Sequence, residues 1–260
     1  MARMGKRNFG RTAAALRDDF PLGKMLPNGL TLLGLCSGTT AIRFAFGGQW
    51  KAAVVAIIFA AIFDALDGRV ARLFHADSAF GAQLDSLADL VSFGIAPSVT
   101  VYLWSLYQAH GAGWAVALIY CACCAIRLAR FNVEAAERDP LATPNPYFTG
   151  LPTPAAACLI MLPLLLSFQF GTHAFSAPLI SAGVIGVMSV LMVSRVPTLS
   201  VKHIHIPRQL RSAIAGFAGL LICAAILWPW ATMTTALFVY LATIPVSAAS
   251  FAGVEDGDGE

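Results

Sequence analysis

Asp64, Asp67, Asp85 and Asp89 each interrupt an otherwise apolar stretch of this chain. Asp64 and Asp67 are three residues apart and Asp85 and Asp89 four apart, so on helices each pair shares one face. Four carboxylates that converge repel one another unless cations lie among them. Carboxylate oxygen is a hard ligand suited to Mg²⁺, Mn²⁺ or Ca²⁺, and a cluster this rich can hold two ions, as in sites that stabilise the attacking and leaving oxygens around phosphorus. The neighbouring residues favour phosphate. Gly68 lets a bulky group approach the backbone, Arg72 one turn on presents a guanidinium fork to phosphate oxygens, and Gly81 opens room opposite. Each glycine taken alone reads first as a helix-packing contact. The combination points to metal-dependent phosphotransfer.

The elements that position these residues are membrane helices. Of 260 residues, 58% are hydrophobic and 12% charged, and the mean hydropathy is +0.72, far from the roughly 25% charge of a soluble domain. That composition describes an all-α integral membrane protein. Apolar stretches long enough to cross a bilayer recur at about 28–47, 51–73, 81–107, 112–133, 152–170, 174–194, 211–229 and 231–250, eight spans in all. An ionised Asp in such a span costs about 2.5–3.5 kcal/mol at the centre, so the four acids need partners. A short loop around His75 to Ala79 makes the second and third spans antiparallel and brings both acidic faces together near one interface.

Charge placement supports the spans. Fifteen of the seventeen basic residues fall on one side: Arg3, Lys6, Arg7, Arg11, Arg17, Lys24, Arg69, Arg72, Arg127, Arg130, Arg138, Arg195, Lys202, Arg208 and Arg211, leaving Arg43 and Lys51 elsewhere. Basic residues mark the cytoplasmic side, which therefore receives both termini and the carboxylate site. Residues 1–25 read either as a basic interfacial helix on anionic lipid or as a basic tail, and no cleaved signal is expected. The six cysteines lie in apolar stretches and read as packing residues rather than a disulfide or zinc framework. His203 and His205 read as surface histidines, and no nucleic-acid partner is expected.

Asp64-x-x-Asp67-Gly68-x-x-Ala71-Arg72, eight residues, then Gly81-x-x-x-Asp85-x-x-x-Asp89 resembles the full signature of the CDP-alcohol phosphotransferase family, with no position departing from it. The resemblance implies a six-helix membrane core, usually homodimeric, in which Asp64, Asp67 and Asp85 bind two divalent ions, Mg²⁺ or Mn²⁺. Asp89 would act as the base and contribute to metal binding, and Gly68, Ala71, Arg72 and Gly81 would line the CDP moiety. Pro27-Asn28-Gly29-Leu30-Thr31 is similar to the family's first-helix stretch, which would put Asn28 and Thr31 against the nucleotide. The chain then divides into the basic segment 1–25, the core 26–200, two additional spans in 201–250 and the acidic tail 251–260.

The signature fixes the donor and leaves the acceptor open. Ser92 to Pro97, Arg127 to Asn132, Phe148 to Pro154 and Met192 to Arg195 resemble stretches of the family's serine-using members, implying CDP-diacylglycerol and L-serine as substrates. Serine carries a carboxylate, and Arg127 and Arg130, three apart on one helix face, can grip it. The same two residues also suit a cytoplasmic helix end among lipid phosphates. Ser92 reads either as a group orienting acceptor or water, or as a helix-to-backbone hydrogen bond. Glycerol 3-phosphate or inositol would preserve the chemistry with another acceptor. A cation transporter is the remote rival, because intramembrane carboxylates also line ion pathways.

Overall fold

The computed structural model describes residues 22–74, 78–137, 147–149, 151–171, 173–194, 197–199 and 211–255. The basic segment up to residue 21, most of the His75 to Ala79 loop, Arg138, Arg195, Lys202, His203, His205, Arg208 and the tail from Asp256 fall outside the described residues. Helices dominate: α1 (Leu22–Phe46), α2 (Trp50–Phe74) and α3 (Ala79–Asp89), which runs through a π-helical turn (Leu90–Ile95) into α4 (Ala96–Trp104). A 3₁₀ turn (Leu106–Ala109) leads into α5 (His110–Ala136). Then come α6 (Thr153–Ile160), α7 (Leu162–Phe170), α8 (Pro178–Val193), α9 (Arg211–Leu227) and α10 (Pro229–Glu255). A short antiparallel ribbon pairs β1 (Tyr147–Thr149) with β2 (Pro197–Leu199), Tyr147 opposite Leu199.

These helices overlie the eight stretches read from the sequence. By length and apolarity alone, three qualify as crossings among the described residues: Met25–Phe46, Ala79–Trp104 and Leu106–Ala135. The pair α6 and α7, bent by 41°, makes a fourth if it is one span. α2 matches α1 in length, 25 residues each, but Asp64, Asp67, Arg69 and Arg72 crowd its second half. α8 has only 16 residues. Exposed apolar side chains such as Leu33, Phe59, Ile119 and Val190 face outward, as lipid-facing positions do.

α1 packs along α2 and also against α3, the π turn and α4, while α5 packs against α8 and the π turn. Small residues make the close approach of α1 and α2 possible: Ala41, Ala45, Ala53, Ala56 and Ala60 are all buried. The π turn has a local cause. Pro97 has no N–H to donate to the Phe93 carbonyl four residues back, and the buried Tyr120 hydroxyl of α5 donates to that carbonyl instead, at 3.1 Å. Gly94 keeps this contact close, since a Cβ there would stand 3.2 Å from Cys124 Sγ. The irregular turn thus follows directly after Asp89, where π turns commonly mark functional sites.

Candidate active site

The two acidic pairs converge. One carboxylate oxygen from each of Asp64, Asp67 and Asp85 lies within 4.8 Å of the other two, and Asp89 is close enough to interact electrostatically with all three. Asp64 and Asp89 are within hydrogen-bonding reach of each other. The four acids, with Thr31, Ser92 and Phe93, line a small inner cavity. Asp67 is buried, and Asp85 Oδ1 is buried with no hydrogen-bond partner. A bare carboxylate oxygen in an apolar interior is costly, and a divalent cation is the partner that matches three converging carboxylates. The residues therefore fit hard ions such as Mg²⁺ or Mn²⁺.

The site is built by three helices rather than two. The acid spacing accounts for α2 and α3 and the family resemblance for Thr31 of α1 beside the nucleotide; α1 also meets the acids, since Thr31 Oγ1 lies 2.7 Å from Asp67 Oδ2 and 3.1 Å from the Pro27 carbonyl. The shorter, charge-assisted bond takes the hydroxyl proton. Thr31 thus orients a metal-ligand candidate as well as lining the nucleotide cleft. α1 is seated by Gly38, where a Cβ would come within 2.7 Å of Ser92 Cα. Ser92 in turn donates to the Gly34 carbonyl at 3.3 Å, the backbone alternative of its two readings, while still facing the inner cavity. Gly34-x-x-x-Gly38 was the available signal for this contact, because small residues four apart let helices approach.

Every residue marked for the nucleotide lines one cleft next to the acids: Asn28 and Thr31 from α1, Gly68, Ala71 and Arg72 from α2, and Gly81 from α3. About 620 Å³ of non-atom space, part of it open solvent, lies within it. Ser78 caps α3 by accepting the Gly81 N–H at 3.0 Å. A Cβ at Gly81 would stand 3.1 Å from Asn28 Oδ1, so glycine allows α1 and α3 to meet at the cleft wall.

Arg127 lies within electrostatic range of Asp89. Arg127 Nη1 donates to Thr153 Oγ1 at 3.1 Å, and its Nε is buried without a hydrogen-bond partner. Arg130 behaves differently: Nη1 donates to the Val193 carbonyl at 3.2 Å, and Nε lies 3.8 Å from Glu134 Oε1 at a partly exposed surface. The two arginines share a helix but not a set of partners. Asn132 exchanges hydrogen bonds with Ser86 at 2.9 and 3.1 Å, tying α5 to α3. Sequence reasoning did not anticipate Thr153 or Tyr120, whose roles depend on contacts 26 and 27 residues away.

A family model for CDP-alcohol phosphatidyltransferases matches residues 24–194, which contain the acids, the cleft and Arg127. The chain belongs to that family. It is 35% identical over 227 residues to the CDP-diacylglycerol--serine O-phosphatidyltransferase of Mycobacterium tuberculosis, covering 87% of this chain and 79% of the relative. It is 38% identical over 172 residues to the protein of that name from Helicobacter pylori, covering 66% and 70%. A third of that name, from Bacillus subtilis, is 35% identical over 172 residues, covering 66% of this chain and 88% of the relative. This phosphatidyltransferase is accordingly a membrane protein, and α9 and α10 lie beyond the matched region.

Proposed function

We propose that the protein transfers the phosphatidyl group of CDP-diacylglycerol to the hydroxyl of L-serine, giving phosphatidylserine and CMP. The observation that carries this reading is the convergence of the four carboxylates beside a cleft lined by Asn28, Gly68, Arg72 and Gly81. Arg127 lies within electrostatic range of Asp89, and its Nε is buried without a hydrogen-bond partner. The names of the relatives support serine as acceptor, and a guanidinium whose Nε has no hydrogen-bond partner suits its carboxylate.

In this reading Asn28, Thr31, Gly68, Ala71 and Gly81 hold the nucleotide, and Arg72 binds its phosphates. Asp64, Asp67 and Asp85, with Asp89 alongside, hold two divalent ions, Mg²⁺ or Mn²⁺, which when bound supply charge neutralisation at the pyrophosphate. Asp89 takes the proton of the serine hydroxyl. The serine oxygen forms a bond to the phosphorus that carries diacylglycerol, the bond from that phosphorus to the CMP oxygen breaks, and CMP leaves with the electron pair. Arg127 aligns the serine carboxylate, with Arg130 supporting it at the helix end, and Ser92 keeps α1 against the reacting side.

The fold extends the proposal. Eight spans would place both termini and the site at the cytoplasmic face, with residues 1–25 as a basic interfacial helix or a basic tail, a six-helix core over 26–200, two further spans in 201–250, an acidic tail in 251–260, and a second copy completing a homodimer. Purified protein in liposomes with CDP-diacylglycerol, Mn²⁺ or Mg²⁺ and a panel of labelled alcohols tests the reaction. Transfer to serine with release of CMP is expected. Preference for glycerol 3-phosphate or inositol would replace the acceptor, and cation flux without CMP would replace the enzyme class.

A further inference from the structure

Thr153 opens α6 and is only 3% exposed. Its backbone is restrained from both sides, because Pro152 precedes it as the N-cap and Pro154 follows; proline fixes its own φ and narrows the conformations of the residue before it. The side chain is β-branched and has few rotamers. The face on which it stands is defined by a buried cluster of Ala60, Phe93 and Ala157, which joins α2, the π turn and α6. Asp64 lies four residues from Ala60, Asp89 four from Phe93 and Thr153 four from Ala157, about one helical turn in each case. The helix faces that meet in this cluster are therefore the faces that carry Asp64, Asp89 and Thr153.

Arg127 reaches this anchor from α5. Its Nη1 donates to Thr153 Oγ1 at 3.1 Å, and Thr153 is its hydrogen-bond partner among the described residues. With Nη1 engaged, the edge of the guanidinium that carries Nε and Nη2 is left, and Nε is buried without a partner. Two parallel N–H groups on one edge match the two oxygens of a carboxylate. A long arginine side chain has many rotamers, so the stiff threonine decides how that edge lies. We infer that Thr153 is a positioning residue for the acceptor: by holding Nη1, it sets the Nε and Nη2 edge of Arg127 for the carboxylate of the alcohol substrate. The start of α6 thereby links the orientation of the acceptor to the helices that carry the acids. This inference rests on the proposed role of Arg127 toward the serine carboxylate.

Steady-state kinetics in liposomes of Thr153→Val, Thr153→Ser, Arg127→Met and the double variant Thr153→Val with Arg127→Met test it. Valine keeps the branched shape and removes the hydroxyl, whereas serine keeps the hydroxyl. Thr153→Ala also lacks the hydroxyl, introduces no clash, and is read in the same way should the valine protein fail to fold. Expected is a KM for serine raised roughly 3- to 10-fold in Thr153→Val, with the KM for CDP-diacylglycerol at its wild-type value and the serine KM of Thr153→Ser within about twofold of wild type. In the Arg127→Met background, removing the hydroxyl should add nothing, since the two residues act as one unit. An unchanged serine KM in Thr153→Val, an equal rise in the KM of both substrates, no recovery in Thr153→Ser, or the same rise in the Arg127→Met background overturns the positioning role and leaves the reading of Arg127 in place. A wild-type serine KM in Arg127→Met overturns that reading itself, and this inference with it.

Discussion

Thr31 Oγ1 stands 2.7 Å from Asp67 Oδ2, joining the first helix to the metal-ligand candidate on the second. A hydroxyl that donates to a carboxylate fixes its rotamer and leaves the other oxygen to face the remaining acids. Thr31→Val removes the donor while conserving shape. Hydrogen bonds to charged groups contribute about 1.5–3 kcal/mol, so the variant should need roughly 10- to 100-fold more Mn²⁺ or Mg²⁺ for half-maximal turnover. Thr31→Ser should stay close to wild type. A metal titration of activity distinguishes the two, and equal curves for all three proteins would remove Thr31 from the site.

Chelation tests the carboxylates as a set. Treatment with excess EDTA is expected to abolish turnover, and added Mg²⁺ or Mn²⁺ to restore it. Asp85→Asn deletes the buried, unpartnered oxygen's charge and should lower turnover on the order of 100-fold or more even at saturating metal. Full activity in EDTA would rule out a metal role for these acids.

Gly38 is tested by adding one carbon. In Gly38→Ala the new Cβ would fall 2.7 Å from Ser92 Cα, and α1 must move away from the π turn. Overpacking of this kind costs about 1–3 kcal/mol, so the thermal midpoint in detergent should drop by roughly 2–10 °C. Activity should fall further than stability alone explains, because α1 carries both Asn28 and Thr31. Alanine at Gly29, where a Cβ meets nothing within 4 Å, is the control expected to leave the midpoint unchanged.

Tyr120 and Pro97 form a compensating pair. Tyr120→Phe strips the Phe93 carbonyl of the hydroxyl that satisfies it, a loss of about 1–3 kcal/mol for a buried acceptor. Pro97→Ala supplies the missing N–H. The double variant should recover at least half the drop in thermal midpoint seen for Tyr120→Phe alone, and an additive drop would show that the two groups serve the turn independently.

The acids, the glycines and Arg72 were legible because their chemistry is carried by residue type and spacing along two adjacent helices, where an i, i+3 or i, i+4 separation already fixes a shared face. The meeting of Asp64, Asp67 and Asp85 within 4.8 Å follows from that pattern. What the spacing could not convey was the packing between distant segments. Thr31 and Asp67 are 36 residues apart, Ser92 and Gly34 are 58 apart, and nothing in an isolated helix says which neighbour it meets. Arg127 and Arg130 illustrate the same limit: their spacing correctly places them on neighbouring turns, but burial and the distant partners Thr153 and Val193 separate their roles. The β1–β2 ribbon was likewise missed, since three-residue strands leave no periodicity to read.

Asp89 interacts electrostatically with the metal-ligand candidates and with Arg127, and the proposed reaction makes it the base for the acceptor hydroxyl. Serine-dependent release of CMP from CDP-diacylglycerol, measured in parallel for wild type and Asp89→Asn with CDP-diacylglycerol binding followed in the same liposomes, tests this most directly. Wild type should release CMP only when serine is present, and Asp89→Asn should bind the donor but release CMP at least about 1,000-fold more slowly, a loss within the range of general-base catalysis. Wild-type turnover in Asp89→Asn, or no serine-dependent release by the wild type, would contradict it.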